Sequence, residues 1–330
     1  MSLTRRTVLK GAGAGVALCA VGGRASAQAA VMRFGHPHPT SDSWHTAALQ
    51  MAEKIKAKTG GKLEVQVFPN GALGSDPAMI SAVRGGTLDI TLTGNPFFTG
   101  MAPKLNVLDL PFLFSSRAHV AKVLDGAIGD GLRKDLEGSN LKALATWEVG
   151  WRNLTNSRRP IAKAEDIKGL KIRTTPNPAH VKAFQLLGAV PTPMPFTELF
   201  TALENKTVDG QENPVTLILN AKFFEVQKHV SLTRHAFTSA PLVMNKAKFD
   251  ALAPDLQKAL VDTAAELAIA QRKMNEDAEA GSLDALKKAG MLAVENPDRE
   301  SFSKIVTEEV RKEFVTKFGS DVLDAIVKAG

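Results

Sequence analysis

Trp151-Arg152-Asn153-Leu154-Thr155-Asn156, Gly169-Leu170-Lys171-Ile172-Arg173-Thr174-Thr175 and Val208-Asp209-Gly210-Gln211-Glu212-Asn213-Pro214 decide the reading of this 330-residue chain. Each is a short strand-like run, and two of them carry an arginine. Arg stays charged under any condition a protein meets, and its planar fork matches a carboxylate with two parallel hydrogen bonds. Arg173 closes a β-branched run just before a Pro-containing turn, which suits a cleft that holds an organic acid. The same region reads as a β-α-β series: a strand over Lys171–Thr175, a helix over Ala179–Leu187 stopped by Gly188, and a strand over Ala189–Thr192. A helix over Thr197–Asn205 and a strand over Val208–Glu212 follow.

Upstream, Val31–Gly35 alternates as a first strand and His36-Pro37-His38-Pro39 breaks it. Trp44, Ala47, Ala48, Met51, Ala52 and Ile55 then recur at helical spacing until Thr59-Gly60-Gly61. Lys62–Phe68 is the second strand, Asp76–Val83 a short helix and Leu88–Thr93 the third strand. That order predicts a parallel sheet with helices on both faces. Leu141–Glu148 and Arg152–Thr155 read as two strands leading out, Val230–Arg234 and Leu242–Asn245 as two leading back. From Asp255 to about Lys288 only Gly281 interrupts, which predicts one helix of about 50 Å. Helices over Arg299–Lys317 and Asp321–Lys328 finish the chain. No internal repeat, low-complexity tract or flexible interdomain linker separates the two α/β units, so several extended crossings must join them as a hinged pair.

Residues 1–27 read as a twin-arginine export signal. Thr4-Arg5-Arg6-Thr7-Val8-Leu9-Lys10 precedes a Gly/Ala-rich run, and Ala25-Ser26-Ala27 supplies the small residues of a cleavage site. The apolar run is shorter than the roughly 18 residues a spanning helix needs. Removal would leave 303 of the 330 residues, enough for two lobes. The single cysteine, Cys19, would leave with it, so the mature chain would hold no disulfide, thiolate metal site or cysteine nucleophile. The formal charge of +7 includes four basic residues of this segment, which has no acid; the remaining +3, without a basic block, argues against nucleic acid as a partner.

Five segments, in order, resemble the solute-binding proteins of tripartite ATP-independent periplasmic (TRAP) transporters, of the dicarboxylate- and sialate-binding type. They are Phe68-Pro69-Asn70-Gly71-Ala72-Leu73-Gly74, Arg84-Gly85-Gly86-Thr87-Leu88-Asp89, Leu110-Pro111-Phe112-Leu113-Phe114, the run from Gly188 to Leu203, and Asp209-Gly210-Gln211-Glu212-Asn213. The resemblance covers nearly the whole mature chain. It implies a two-lobed α/β periplasmic binding protein with one long helix spanning both lobes. The expected division is residues 28–150 plus about 238–278 for lobe I, and 151–237 plus about 279–330 for lobe II. It further implies a periplasmic receptor, monomeric as most relatives are, that closes on an organic acid, needs no cofactor, and hands its ligand to a membrane permease.

Carried over position by position, the resemblance makes Arg173 the carboxylate-binding residue, in place of an Arg paired with Glu165 or Asp166. Arg152 matches the family's second arginine, and either touches the ligand or forms an interlobe ion pair. Asn213 matches the amide that ends the "DGQEN" segment, with Glu212 beside it as a structural acid. Phe196 takes the aromatic position over the apolar part of a ligand. Trp147, Asn95 and His36 are further candidates for the cleft wall; Trp147 and Trp151 could equally be interlobe packing, and His38 could stand in place of His36. Sialate-type members carry an acid where this chain has Gly94, which argues against sialic acid itself.

A different class of function stays open on the residues alone. His36, His38 and His45 could grip zinc with three nitrogens and make a periplasmic metal-dependent hydrolase. Against it, the family that the chain resembles needs no catalytic metal. No Gly-x-Ser-x-Gly, Walker loop or paired-carboxylate motif appears either. A third possibility keeps the receptor fold but couples it to a signalling partner.

Overall fold

A computed structural model describes residues 29–330; the expected export signal and Cys19 lie outside the described residues. The first unit runs β1 (Ala30–Gly35), α1 (Ser43–Lys58), β2 (Leu63–Phe68), α2 (Asp76–Arg84) and β3 (Ile90–Leu92). β1 pairs parallel with both β2 and β3, as the alternating pattern predicts. Helix α1 begins where Asp42 accepts the Trp44 N–H, and it buries Trp44, Ala47, Ala48, Met51 and Ile55 against the sheet. Helices α3 (Arg117–Leu124) and α4 (Ala127–Lys134) follow, in a stretch whose short apolar pieces have no readable period.

Two strands far longer than the usual five or six residues then dominate the fold: β4 (Leu141–Asn156) and β8 (His229–Asn245). They pair antiparallel from Leu141↔Asn245 to Asn156↔His229. The sequence reading split each into two strands, and the structure joins them. Register shifts between Ala143 and Ala145, Glu148 and Gly150, and Arg152 and Leu154 let the pair bend without breaking. Gly150 sits at the middle shift with φ +129, and a Cβ there would stand 3.0 Å from the Pro214 ring. Only glycine meets both conditions.

The second unit is β5 (Lys171–Thr174), α5 (Pro178–Leu186), β6 (Val190–Pro193), α6 (Leu199–Glu204), β7 (Gly210–Asn213) and α7 (Val215–Asn220). Its strands β6, β5 and β7 are parallel, and β7 turns antiparallel against β4. The full order is β2-β1-β3-β8-β4-β7-β5-β6. The sheet is therefore mixed, with parallel α/β units on either side of an antiparallel pair that belongs to both. After β8 come α8 (Lys246–Asp250), α9 (Pro254–Lys288), β9 (Leu292–Val294, on β8), α10 (Arg299–Phe318) and α11 (Asp321–Ala329).

Helix α9 is the expected long helix, 35 residues and about 50 Å. Leu260, Ala264, Leu267 and Ala268 join the core of the first unit with Trp44 and Trp147, while Leu286 joins Leu199, Val208, Phe223 and Val230 in the second. Gln271 clips it to the bend of β4: it accepts from the Glu148 N–H at 2.9 Å and donates to the Glu148 carbonyl at 2.9 Å. Helix α11 lies against α3 and α4, and its Leu323 and Ile326 pack in the core that contains Val120 and Leu132. That core also takes in Ala179 and Ala183 of α5 and Val306, Val310 and Phe314 of α10. An apolar period shows that a helix will be buried but leaves open which core will receive it. No helix among the described residues is long and apolar enough to cross a membrane.

Candidate functional site

Arg152, Asn213 and Arg173 come from three adjacent strands, β4, β7 and β5. Register sets Asn213 opposite Asn153, and Gln211 opposite Arg173. Gly210 permits that spacing, since a Cβ there would fall 2.2 Å from the Thr155 carbonyl. The three side chains line a narrow, half-open cavity of about 30 Å³ between the units. The first unit contributes His38, Trp44, Asp76, Gly94, Pro96 and Phe97; the second adds Thr175 and Phe196; the bend of the long strands adds Val149 and Thr238.

The two arginines differ in what already holds them. Arg152, 2% exposed, is bound to the Glu212 carboxylate through Nε and through Nη2, the latter at 2.7 Å, and Nη2 also donates to the Glu212 carbonyl at 2.6 Å. This ion pair is buried between the adjacent strands β4 and β7 rather than at an interlobe surface, and Arg152 still borders the cavity. Arg173, 1% exposed, donates from Nε and Nη2 to the Met194 carbonyl, at 3.1 and 2.6 Å. Among the described residues no carboxylate lies within ion-pair reach of it, Glu165 and Asp166 included, and Nη1 has no acceptor. Burial pulls its pKa down to about 10, although Glu212 pulls the other way. A buried cation without a counter-ion is costly unless something negative arrives.

Asp76 faces this cation across the cleft. It stands at the first turn of α2, is 1% exposed, and accepts the Phe196 N–H at 3.2 Å, so it bonds one unit to the other. Burial raises its carboxyl above the ordinary range, with that bond and Arg173 acting in opposition. Sequence reasoning missed Asp76 as a cleft residue. It stands two residues after the Phe68–Gly74 turn, the signal that could have found it.

Three candidates sit elsewhere. Trp147 is fully buried in the first core and donates its indole N–H to the Ala264 carbonyl at 3.1 Å, so it packs α9 rather than the cleft. Asn95 turns inward to the Leu105 carbonyl at 2.9 Å and to Asp109 at 2.6 Å; its neighbours Gly94 and Pro96 form the wall. His36 points under the sheet toward His45, with 3.3 Å between ring nitrogens. The local backbone sets each direction: Asn95 opens a short 3-10 helix, His36 stands just past the end of β1, and Trp147 precedes the register shift of β4 between Glu148 and Gly150. Trp151 packs edge-on against Phe237. The three histidines do not converge, since His38 is bonded to Asp42 at 3.0 Å. Among the described residues no group of three His, Cys, Asp or Glu side chains is placed to hold a metal.

A second polar bridge between the units lies behind the wall. The buried Asp109 Oδ2 accepts from Asn95 of the first unit at 2.6 Å and from Asn177, the N-cap of α5, at 2.8 Å. Burial pushes the Asp109 carboxyl up to about 7, against the bond from Asn95. A raised carboxyl pKa favours the folded state at low pH. Its contribution is complete below the ordinary carboxyl value near 4 and disappears as pH rises to about 7. The stability of the wild type minus that of Asp109→Asn should therefore decline between pH 4 and 7, by on the order of 1 kcal/mol per pH unit, and level off above. Urea midpoints of both proteins across pH 4–8 measure it, and a flat difference would mean a carboxyl of ordinary pKa.

The model of the bacterial extracellular solute-binding protein family 7, DctP, matches residues 34–317. The chain is 46% identical over 297 residues to the 2,3-diketo-L-gulonate-binding periplasmic protein YiaO of Escherichia coli K12, covering 89% of this chain and 90% of the relative. A TRAP periplasmic solute-binding protein from Polaromonas sp. JS666, solved bound to D-erythronate, superposes with a TM-score of 0.88 at 40% identity, over 90% of this chain and 98% of that one. The sugar acid binding protein DctPAm from Advenella mimigardefordensis, in complex with galactonate, superposes with a TM-score of 0.88 at 36% identity, over 92% and 99%.

Proposed function

This chain belongs to family 7 of the bacterial extracellular solute-binding proteins, the receptors of TRAP transporters, and from that premise we propose that it captures an organic acid between its lobes through Arg173. The observation that carries the reading is a fully buried guanidinium with an undonated Nη1 and no acid of its own, facing an interlobe cavity. Asn213 stands beside it on the next strand, where its amide can serve the same carboxylate or an adjacent hydroxyl. Arg152, held by Glu212, shapes the floor and adds field rather than a free fork. Phe196 covers the apolar carbons.

The ligand is a small polyhydroxy acid. Asp76 and Thr175 line the cavity with groups that meet hydroxyls, and the relatives named above carry sugar acids or bind a keto sugar acid. Gly94 has no side chain, so no acid stands at the position where sialate-type members carry one. The loaded receptor, acting in the periplasm as a monomer without catalysis of its own, delivers its ligand to the membrane permease of a TRAP system. Closure follows from differential affinity, because only the shut form lets one ligand touch residues of both lobes. In this reading the hinge runs through Gly150 of β4, with residues 28–150 in lobe I and β5–β7 in lobe II. The histidine-based hydrolase has no converging ligand set to stand on.

Thermal-shift titration of the purified mature chain tests the reading. Polyhydroxy acids of four to six carbons should raise the midpoint by several degrees, and the corresponding neutral sugars and polyols should not. Equal stabilisation by acids and polyols would remove the carboxylate seat.

A further inference from the structure

We propose that His38 is a specificity-determining residue of the cleft, offering Nε2 as the acceptor for a ligand hydroxyl, with Asp42 as its positioning residue. The inference rests on the organic-acid reading above and adds the group that would separate hydroxy acids from plain ones. Its starting point is a polar atom with nothing to do. The His38 side chain is 6% exposed and lines the cavity, and its Nε2 has no hydrogen bond to any described residue.

The ring is held on three sides. Nδ1 lies 3.0 Å from Asp42 Oδ1. One face stacks on Trp44, with centroids 3.7 Å apart and planes 7° from parallel, and Trp44 is itself fixed by its indole N–H to the Glu148 carbonyl at 2.8 Å. Phe196 closes the remaining side from the other lobe, centroid 5.0 Å away. A ring so confined cannot turn to seek another partner.

Asp42 decides which nitrogen carries the proton. Both of its oxygens act as acceptors beside the His38 contact, from the Trp44 N–H at 3.0 Å and from the Asn220 amide at 3.5 Å. It is therefore a carboxylate, which can only accept, so Nδ1 must hold the hydrogen. In the neutral imidazole Nε2 is then a bare acceptor. The neighbouring histidines do not compete for it, since His36 and His45 meet each other at 3.3 Å. Within the cavity Arg173 and Asn213 supply donors for a carboxylate. The complement to Nε2 is an O–H, which a hydroxy acid carries on its chain and a simple fatty acid lacks. A buried acceptor left unmet disfavours any ligand without that hydroxyl, so the contact discriminates more strongly than it binds.

The probes are D-erythronate and butyrate, which share a four-carbon chain and differ in hydroxyls. Calorimetric titration compares wild type, His38→Phe, which keeps the stack on Trp44, and the double variant His38→Phe with Asp42→Asn, which leaves no unpaired carboxylate should the single variant fold poorly. Erythronate affinity should fall about 10- to 100-fold in the variant that folds, while butyrate, measured by competition at millimolar concentration, changes less than about threefold. Equal losses for both acids, or an unchanged erythronate affinity, would overturn the assignment while the carboxylate seat stands. A wild type that binds neither polyhydroxy nor simple acids would overturn the seat, and this inference with it.

Discussion

Arg173→Ala should erase the response to organic acids and leave the fold intact. The variant removes a cation that has no counter-ion among the described residues, whose burial already holds its pKa down near 10. Its own hydrogen bonds end on one carbonyl, that of Met194. The empty protein should thus melt within a few degrees of wild type. Binding is another matter, because the ligand carboxylate would enter the cleft and find no fork. Removing one partner of a buried charged pair costs roughly 2–5 kcal/mol, which carries a micromolar complex toward millimolar or weaker. Arg173→Lys restores charge without the planar fork and should recover only part of the loss. Titration with the best acid of the thermal-shift panel reads both variants. Wild-type affinity in Arg173→Ala would exclude the seat as drawn.

Glu212→Gln should be the most destabilising single change in the cleft. Glu212 is fully buried. Burial alone would raise its carboxyl, but Arg152, His235 and His180 overcome that and hold it well below the ordinary carboxylate range. A depressed carboxyl contributes stability that is complete above its unfolded pKa and is lost only as pH falls through the folded value, so at neutral pH the whole contribution is present. Substitution leaves Arg152 without its partner, beside a second buried guanidinium. Breaking a buried pair in this way costs about 3–5 kcal/mol, or a midpoint lower by roughly 5–8 °C for a chain of this size. Replacing both partners, Arg152→Met with Glu212→Met, should restore much of the midpoint, since the stranded charge disappears. A single variant that melts like wild type would mean that water reaches the pair.

Much of the fold was legible because it is written in local patterns. The period of α1, its stop at Thr59-Gly60-Gly61, and the uninterrupted run of α9 need no partner to be read. The strands β4 and β8 were legible only in pieces. Gly150 in one and Pro241 in the other look like breaks, and whether a strand survives them depends on bulged pairing with a partner nearly 90 residues away. The placement of α11 on α3 and α4 was not legible at all, since its apolar face fits either core equally well by pattern.

The candidate site divides along the same line. The sequence by itself determined the family, through five segments in order, and with it the prominence of Arg173, Arg152, Asn213 and Phe196, all of which line one cavity. It also determined that residues 28–330 contain no cysteine. Only the tertiary structure decided which arginine is free. That depends on Glu212, 60 positions from Arg152, crossing from β7 to neutralise it while leaving Arg173 alone. The structure likewise turned Asn95, His36 and Trp147 away from the cleft and brought Asp76 and His38 into it. Residue type states what a side chain can bond; pairing in a low-dielectric interior is settled by distances of about 3 Å, and those exist only once the chain has folded.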